Sequence, residues 1–148
     1  MIKFTYYGEI KGKGRPRFRN AGKFIQTYTD KETRNYEASL KEAYLNSNSD
    51  KYLNPEDALC LKMVVYQPIP KSTSKKKHIE MLQGLIRPTK KPDVDNILKS
   101  VLDSLNQVAF YDDTQIVEIT ASKFYSDTPR IEIEIRGCEV AQWKINQH

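Results

Sequence analysis

Apolar side chains recur along the first part of the chain with two periods, and the change between them separates strands from a helix. Residues 2–7 (IKFTYY) are rich in aromatic and β-branched side chains, so they predict a strand. Residues 17–28 (RFRNAGKFIQTY) predict a β-hairpin, because Gly22 can adopt the positive φ that a tight turn requires. Helical spacing of apolar residues then predicts a helix over 30–46, with a capping box that begins at Thr29.

The rest of the chain shows the same two periods. A nearly continuous apolar run over 58–66 predicts a buried strand, and a short helical pattern lies near 75–85. The most regular helix is predicted over 95–107, where the apolar positions form one stripe: Ile97, Leu98, Val101, Leu102, Leu105 and Val108. Segments 115–125 and 130–136 predict two antiparallel strands joined by a short turn. Isoleucines alternate with charged residues in the second of these strands, so one of its faces is expected to meet water.

These elements predict an α/β (α+β) fold in one domain that spans residues 1–148. We expect a small mixed, mostly antiparallel sheet packed by two or three helices, since 148 residues can bury a core without disulfides. No apolar run approaches the ~20 residues of a membrane span, and the N-terminus lacks the pattern of a signal peptide. Cys60 and Cys138 could form a disulfide, but two cysteines without an export signal are interpreted as reduced thiols of a cytoplasmic protein. With the two histidines they form no recognisable zinc pattern.

Positive charge is concentrated in two segments. Residues 11–23 hold six basic residues and no acidic one, and residues 68–91 hold seven basic residues and one acidic one, although the net charge of the chain is only +5. The rest of the chain is therefore net acidic. Each segment alone is typical of a solvated loop, but two such segments favour a polyanionic partner such as DNA. The candidate DNA-binding residues are Lys13, Arg15, Arg17, Arg19, Lys75, Lys76, Lys77, Lys90 and Lys91.

Carboxylates follow the second basic segment. Asp93 and Asp95 come after a proline, and in an extended segment residues two apart point to the same side. Asp95 alone is equally typical of a helix N-cap, but capping does not explain Asp93 as well. A helix over 95–107 is about 18 Å long, and the extended stretch after it can span roughly 20 Å. Asp112 or Asp113 can therefore return to the first two carboxylates, or can form a solvated turn.

Lys99 lies one helical turn after Asp95 and one turn before Asp103. It either forms surface ion pairs with these acids, worth only ~0.3–0.5 kcal/mol, or binds a scissile phosphate beside the carboxylates. Three carboxylates held together in a basic protein require a cation, and ligation by oxygen alone suits Mg²⁺ or Mn²⁺. Such metals activate water and shield the leaving oxygen in phosphodiester hydrolysis, so these residues predict a metal-dependent nuclease.

The segment KPDVDNILKSVLDSLNQVAFYDDTQI resembles the central signature of the RusA family, KPDxDNLxKxxxDxL followed by DDxQ. The close match covers residues 90–116, and GKGRPR upstream resembles the basic segment that many members carry near the N-terminus. The resemblance implies a homodimeric α/β endonuclease that resolves Holliday junctions by paired symmetric nicks with Mg²⁺, for which Mn²⁺ can substitute. It implies DNA recombination and repair in a bacterial cytoplasm, with the protein encoded by the host or by a phage or prophage.

The resemblance also assigns roles to single residues. Asp93, Asp95 and Asp113 align with the family's catalytic, metal-binding aspartates, Asp112 is kept as an alternative metal ligand, and Lys99 aligns with the family's catalytic lysine. A homodimer suits a junction with two symmetry-related strands to cut, since a two-fold dimer presents two identical sites. The expected partners are therefore a four-way DNA junction and a second copy of the chain, with no membrane and no small-molecule substrate.

Three other functions fit parts of the pattern. A non-catalytic nucleic-acid-binding protein explains the charge and the aromatic residues Phe18, Phe24 and Tyr28, which can stack on bases, but leaves the acidic pairs unexplained. A DxD glycosyltransferase uses a similar metal-binding pair, but 148 residues are few for that architecture. A general branched-DNA or flap nuclease shares every feature, so only cleavage assays distinguish it from a junction resolvase.

Overall fold

The computed structural model of the chain describes residues 1–13, 17–22, 24–28, 30–139 and 147. Their architecture is α+β, with three α-helices and a small mixed sheet, which confirms the predicted fold class. The elements in chain order are β1 (Ile2–Tyr7), β2 (Arg17–Ala21), β3 (Phe24–Tyr28), α1 (Lys31–Asn46), β4 (Leu59–Pro68), α2 (Lys75–Leu82), α3 (Val94–Leu105), β5 (Ile116–Ser126) and β6 (Arg130–Gly137). A short 3-10 turn, Asp113–Gln115, precedes β5.

The four-stranded sheet has the order β1-β6-β4-β5. β1 and β4 both pair with β6 in antiparallel register, whereas β5 pairs with β4 in parallel register. The predicted strands 115–125 and 130–136 do run in opposite directions, but they are not neighbours, because β4 lies between them. A parallel pair of strands needs a long crossover connection, and the segment that contains α2 and α3 provides it.

One face of the sheet carries the core. The isoleucines of β6 (Ile131, Ile133 and Ile135) are fully buried on the same face as the buried side of β4. α1 and α3 cover this face and contribute further core side chains: Tyr36, Leu40, Tyr44, Ile97, Val101 and Leu105. The charged residues between the isoleucines are only partly buried and point to the other face, as the alternation predicted.

The start of α1 and the hairpin turn test two local predictions. α1 is capped by Asp30, whose carboxylate accepts a hydrogen bond from the backbone N–H of Thr33 (2.8 Å). Thr29, the predicted start of the capping box, lies outside the described residues. β2 and β3 form the predicted hairpin as a separate two-stranded sheet, and Gly22 adopts a φ of +73° in its turn.

The two cysteines are joined by a disulfide, so the interpretation of both as reduced thiols was wrong. Cys60 lies in β4, next to β6, and Cys138 directly follows β6 and donates its backbone N–H to the carbonyl of Ala58 (2.9 Å). Two adjacent strands thus bring together cysteines that are 78 residues apart in sequence. Spacing along the chain could not reveal this proximity, because it depends on which strands are neighbours.

Across the described residues, every helix is too short or too polar to cross a bilayer.

Candidate functional site

α3 separates a buried apolar stripe from a charged outer face. Its stripe packs into the core, as the helical spacing predicted. The outer face presents Asp95, Lys99 and Asp103 one turn apart, and all three side chains are exposed. The three charged residues singled out on this helix therefore form one accessible row.

The N-terminal end of α3 carries two carboxylates without partners. Asp93 is the N-cap residue, but its side chain accepts no capping hydrogen bond. Asp95 lies inside the first helical turn, so the predicted extended segment is in fact a cap followed by a helix. Both side chains are exposed, and neither has a hydrogen bond or an ion pair with another described residue. Because N-cap aspartates normally bond the helix backbone, these carboxylates are available to an external group.

The first basic segment begins against this end of α3. The backbone N–H of Lys13 donates to the carbonyl of Asn96 (3.0 Å). A Cβ added to Gly12 would meet the Cβ of Asn96 at 3.0 Å and the Cβ of Pro92 at 3.3 Å, so glycine permits this close approach. Gly12 therefore has a packing role, and the packing places the start of the basic segment beside Pro92, which directly precedes Asp93.

The second basic segment supplies exposed lysines at the start of α2 and at the end of the loop between α2 and α3. Lys75, Lys76 and Lys77 occupy the first turn of α2, and Lys90 and Lys91 lie in the loop just before α3. Cations in the first turn of a helix are unfavourable because the macrodipole is positive there, and no acidic residue of that turn balances them. This arrangement favours an anionic partner at the same end of the molecule as Asp93.

The loop that leads to Asp93 is held by a residue that sequence reasoning missed. Lys123 of β5 donates from Nζ to the carbonyl oxygens of Lys90 (2.8 Å) and Pro92 (2.9 Å). These bonds fix the backbone immediately before the N-cap. Lys123 pairs with the buried Val65 of β4, so it lies on the core side of β5. Alternation in the sequence alone does not distinguish such a lysine from one on the surface.

The second acidic pair lies in a turn that Gln115 organises from inside. The buried Gln115 accepts at Oε1 from the backbone N–H groups of Tyr111 (2.8 Å) and Asp112 (3.0 Å). Its Nε2 donates to the carbonyls of Asn54 (2.9 Å) and Asp57 (3.0 Å). The glutamine of the DDxQ pattern thus has a structural role, because it fixes the backbone of the acidic pair.

Asp112 and Asp113 are bonded differently. Asp112 caps the 3-10 turn, and the hydrogen bond that it accepts from the backbone N–H of Thr114 (3.2 Å) is the main reason why its pKa is lowered. A hydrogen bond between the two carboxyl groups raises the pKa of Asp113, and burial and the negative charges of Asp112 and Asp103 raise it further. The charge of Asp113 is therefore the less satisfied of the two, so a cation would interact with it most favourably.

The two acidic pairs do not meet within one chain. Asp93 caps the start of α3, which is about 18 Å long, whereas Asp113 interacts electrostatically with Asp103 in its third turn. Among the described residues, no three carboxylates bring oxygen atoms within 4.8 Å of one another, the spacing of a shared metal site. The structure therefore does not bring Asp112 or Asp113 back to Asp93 and Asp95 in a single chain.

A compact group of metal-ligand types does occur in the described part of the chain, but elsewhere. It consists of Cys60, Glu118 and Cys138, at the opposite end of the sheet from Asp93. The two sulfur atoms are bonded to each other, so neither is the thiolate that metal binding requires.

Two lysines near the outer face of α3 differ in their contacts. No ion pair joins Lys99 to Asp95 or Asp103 in the part of the chain that the structure describes, so the surface-pair interpretation of Lys99 lacks support. Lys13 instead bonds Glu37 of α1 and Asp103 of α3, the latter at 3.1 Å. Burial tends to lower the pKa of Lys13, but its bonds to these two acids outweigh burial and raise it. A contact between Lys13 and DNA would require these ion pairs to open.

The β2–β3 hairpin exposes apolar side chains on both of its faces. Phe18 and Ile25 lie on one face and Phe24 on the other, with exposures of 68%, 71% and 68%. A two-stranded hairpin is marginally stable alone, so this exposure favours contact with another molecule. Arg19 is exposed on the same hairpin. Outside the described part of the chain lie Arg15 and the side chains of Arg17 and Tyr28.

Most of the chain matches one known protein family. A family model described as "Endodeoxyribonuclease RusA" matches residues 8–136, which include both basic segments and both acidic pairs. YqaN, an uncharacterized protein of Bacillus subtilis (strain 168), is 38% identical over 137 residues, or 91% of this chain and 95% of that protein. The crossover junction endodeoxyribonuclease rusA of Lactococcus phage r1t is 44% identical over 48 residues, or 32% of this chain and 37% of that protein.

Proposed function

The chain belongs to the RusA family of endodeoxyribonucleases, and from this premise we propose that it resolves Holliday junctions by paired symmetric nicks. RusA-family nucleases are generally dependent on a divalent metal. We propose Mg²⁺ as that metal, with Mn²⁺ as a substitute. The setting would be DNA recombination and repair in a bacterial cytoplasm, and the partners would be a four-way junction and a second copy of the chain.

One observation supports this function most strongly: the side chains of Asp93 and Asp95 are exposed, bond no other described residue, and lie where the start of the first basic segment packs against the end of the second. Bare carboxylates beside Lys90 and Lys91 would repel the phosphates that these lysines attract. A protein that only binds DNA gains nothing from acids at this position. A nuclease does, because a cation between carboxylate and phosphate converts the repulsion into attraction.

The donor set fits a hard divalent cation. Asp93 and Asp95 offer free carboxylate oxygens, and the crowding that raises the pKa of Asp113 is what a bound cation relieves. When bound, the cation would act as a Lewis acid toward the scissile phosphate and lower the pKa of a water molecule. Lys99, one turn beyond Asp95 on the accessible row, would bind the same phosphate and stabilise its developing negative charge.

The third carboxylate would come from a second copy of the chain. Two α3 helices that pack antiparallel about a two-fold axis would place the start of each helix beside the end of the other. Asp113 of the partner subunit would then join Asp93 and Asp95, and two equivalent sites would result. The separation of the acidic pairs by a helix of about 18 Å within one chain supports this arrangement.

Mixed dimers test the shared site. Subunits with Asp95→Asn and subunits with Asp113→Asn should each form inactive homodimers. In a mixed dimer one site would lose both carboxylates, while the other would keep Asp95 of one subunit and Asp113 of the other. Single-strand nicking of a labelled junction should then return to roughly half of the wild-type rate, since one of two equivalent sites is intact. Continued inactivity of mixed dimers, isolated through different affinity tags on the two subunits, would mean that each site forms within one chain.

DNA contact is proposed for the exposed lysines of α2 and of the loop before α3, and for the arginines of the first basic segment. The hairpin follows directly from the segment that packs beside Pro92, so it would reach along the DNA from the cleavage site. Phe18 or Phe24 would stack on a base exposed at the branch point, an interaction worth ~1–3 kcal/mol per base.

Comparison of three substrates tests the proposed activity. A mobile four-way junction, a flap and a linear duplex are incubated with Mg²⁺ and, in parallel, with a chelator. We expect the junction to be cut fastest, at symmetric positions, and no cleavage with the chelator. Faster cleavage of the flap would assign a general branched-DNA nuclease. Binding without any cleavage would assign a non-catalytic DNA-binding protein.

A further inference from the structure

Lys123 occupies a position in the sheet that packing would give to an apolar residue. In the parallel β4–β5 pair it lies beside Val65, which is fully buried, and Ala121 precedes it on the same face. This is the face that α1 and α3 cover. A lysine on such a face must either extend its ammonium to water or find acceptors inside the protein.

The ammonium of Lys123 donates hydrogen bonds to two acceptors on the loop between α2 and α3. Its Nζ atom lies 2.8 Å from the carbonyl oxygen of Lys90 and 2.9 Å from that of Pro92. The carbonyl of Pro92 belongs to the peptide group that links Pro92 to Asp93. Lys123 therefore bonds the backbone directly before the N-cap of α3, and charge-assisted hydrogen bonds of this kind are stronger than neutral ones.

The same strand holds the loop at a second place. Arg87 donates from Nε to the carbonyl of Lys123 (2.6 Å), and its guanidinium lies 3.8 Å from the ring centroid of Phe124. Gly84 packs against the same ring, since a Cβ there would meet it at 3.6 Å. Residues 84–92 thus follow β5 from the end of α2 to the start of α3, and Lys123 makes the last contact before Asp93.

We infer that Lys123 is a positioning residue of the candidate metal site. It holds the turn that aims Asp93, whose side chain has no capping hydrogen bond of its own to fix it. In metal sites, groups that orient the ligands typically change metal affinity 10–100-fold when they are removed. This inference rests on the proposed function, because it gives Lys123 a role at the Asp93 and Asp95 carboxylates.

The position also explains why lysine, rather than an apolar residue, lies there. A methionine would fill the same volume on the covered face but would leave two carbonyls of the loop without a donor. An arginine could reach both carbonyls, because its planar fork carries several N–H donors. The two substitutions therefore separate hydrogen bonding from packing.

The experiment compares Lys123→Met and Lys123→Arg with Lys62→Met, a control at an exposed lysine on the opposite face of neighbouring β4. Mn²⁺ affinity is measured by electron paramagnetic resonance without DNA, and amide exchange is measured over residues 88–97. Lys123→Met should weaken Mn²⁺ binding about tenfold and speed amide exchange in that segment. Lys123→Arg should restore most of both, and Lys62→Met should change neither. In junction cleavage, Lys123→Met should raise the Mg²⁺ concentration for half-maximal rate more than it lowers the rate at saturating Mg²⁺.

The result that overturns the inference is wild-type Mn²⁺ affinity together with wild-type exchange over residues 88–97 in Lys123→Met. Failure of arginine to restore what methionine removes would also overturn it, since packing would then be the whole role. Failure of the proposed function is a separate result: the wild-type protein would cleave no junction. Amide exchange before Asp93 would still decide whether Lys123 holds the loop.

Discussion

The two ends of α3 carry the same acidic side chain in opposite circumstances. At the start, the side chains of Asp93 and Asp95 are exposed and bond no other described residue, and Lys90 and Lys91 directly precede them in the chain. Beyond the other end, Asp112 and Asp113 share a hydrogen bond, and Asp113 is crowded by the charge of Asp103. The carboxylates at the start of α3 lack a bonding partner among the described residues, whereas those beyond its end repel one another. In the proposed dimer, a cation held between the start of α3 in one subunit and the acidic turn of the other would satisfy both ends.

The largest expected effect is the loss of cleavage when either end loses a carboxylate. Asp93→Asn, Asp95→Asn and Asp113→Asn should each slow junction cleavage about a hundredfold or more, equivalent to ~2.7 kcal/mol of barrier. Junction binding without metal should stay the same or become tighter, because each change removes a negative charge worth about 1 kcal/mol at contact with a phosphate in water. Cleavage and binding are measured on the same labelled junction.

Asp112→Asn is the matched control for the crowded end. Asparagine caps a helical turn as well as aspartate does, so the turn should remain intact. Because Asp112 already bonds the backbone N–H of Thr114, we expect its change to slow cleavage less than Asp113→Asn does. The comparison of the two ends would be wrong if Asp112 proved indispensable and Asp113 did not, or if the variants lost binding in step with cleavage while folded.

The fold was predictable where the signal is local. α3 follows from its apolar stripe, and the hairpin follows from Gly22. The order of strands was not predictable, because β4 enters the sheet between β5 and β6 through contacts that are distant in sequence. The disulfide between Cys60 and Cys138 depends on the same non-local pairing and was missed for the same reason.

Lys99 lies between the two ends of α3 on its accessible row, so its change tests whether a phosphate binds between the two acidic pairs. If it binds the scissile phosphate, Lys99→Ala should slow cleavage more than tenfold, or about 1.4 kcal/mol of barrier. Stability should change little, since alanine is the most favourable residue in a helix. Lys41→Ala on α1 removes an exposed helical lysine far from the acidic pairs in sequence and serves as the control. Equal cleavage rates for the two variants would mean that Lys99 is a surface lysine without a role at the phosphate.

A smaller effect is expected from the first basic segment, residues 11–23, whose beginning packs against the start of α3. If Arg15 and Arg17 contact phosphates, their joint change to alanine should reduce the slope of log affinity against log salt by about two, at ~0.9 per phosphate. The same change at Arg34 and Lys41, exposed cations of α1, should leave the slope unchanged. Junction affinity is measured across a range of salt concentrations. An unchanged slope for the arginine variant would place the DNA backbone elsewhere on the protein.

The residues of the candidate site were chosen from the sequence and stay a prediction, whereas their positions in the fold were only partly predictable. Spacing pointed to Asp93 and Asp95 and to either Asp112 or Asp113, and the resemblance to the family selected Asp113. Spacing also suggested a return within one chain, which the structure does not show among the described residues. Reach along a chain is an upper bound, and the chain after α3 does not use it: Val108 and Ala109 donate their backbone N–H groups to the carbonyl of Leu105 at the end of the helix. Lys123 was missed because a lysine in a strand is normally a surface residue, and its acceptors are backbone atoms that no sequence pattern reveals.

The smallest effect is a difference in thermal stability that should have opposite signs at the two ends. The pKa of Asp113 is raised in the folded state, so the folded chain holds this proton more tightly than the unfolded chain does. The stability that this provides is present below the ordinary aspartate pKa of 3.8 and is lost as pH rises through the raised value. At neutral pH without metal, Asp113→Asn should therefore raise Tm, because it removes a charge that Asp112 and Asp103 repel.

The gain should be on the order of 1 °C, because mostly exposed charges interact by a few tenths of a kcal/mol and ~1 kcal/mol shifts Tm by about 2–4 °C at this chain length. Asp95→Asn should instead lower Tm slightly, because Asp95 lies in the first turn of α3, where the helix dipole favours a negative charge.

Both differences should shrink in high salt, and the gain at Asp113 should vanish below pH 3.8, where the wild-type carboxyl is already neutral. Excess Mg²⁺ should reverse the ranking at Asp113, since a ligand that binds only the folded wild-type site raises its Tm and not that of the variant. Calorimetric scans of the wild type and both variants at neutral and acid pH, in low and high salt, and with and without Mg²⁺ measure these differences. If the two substitutions shift Tm in the same direction without metal, the ends of α3 are electrostatically alike, and the crowding at Asp113 no longer argues for a cation there.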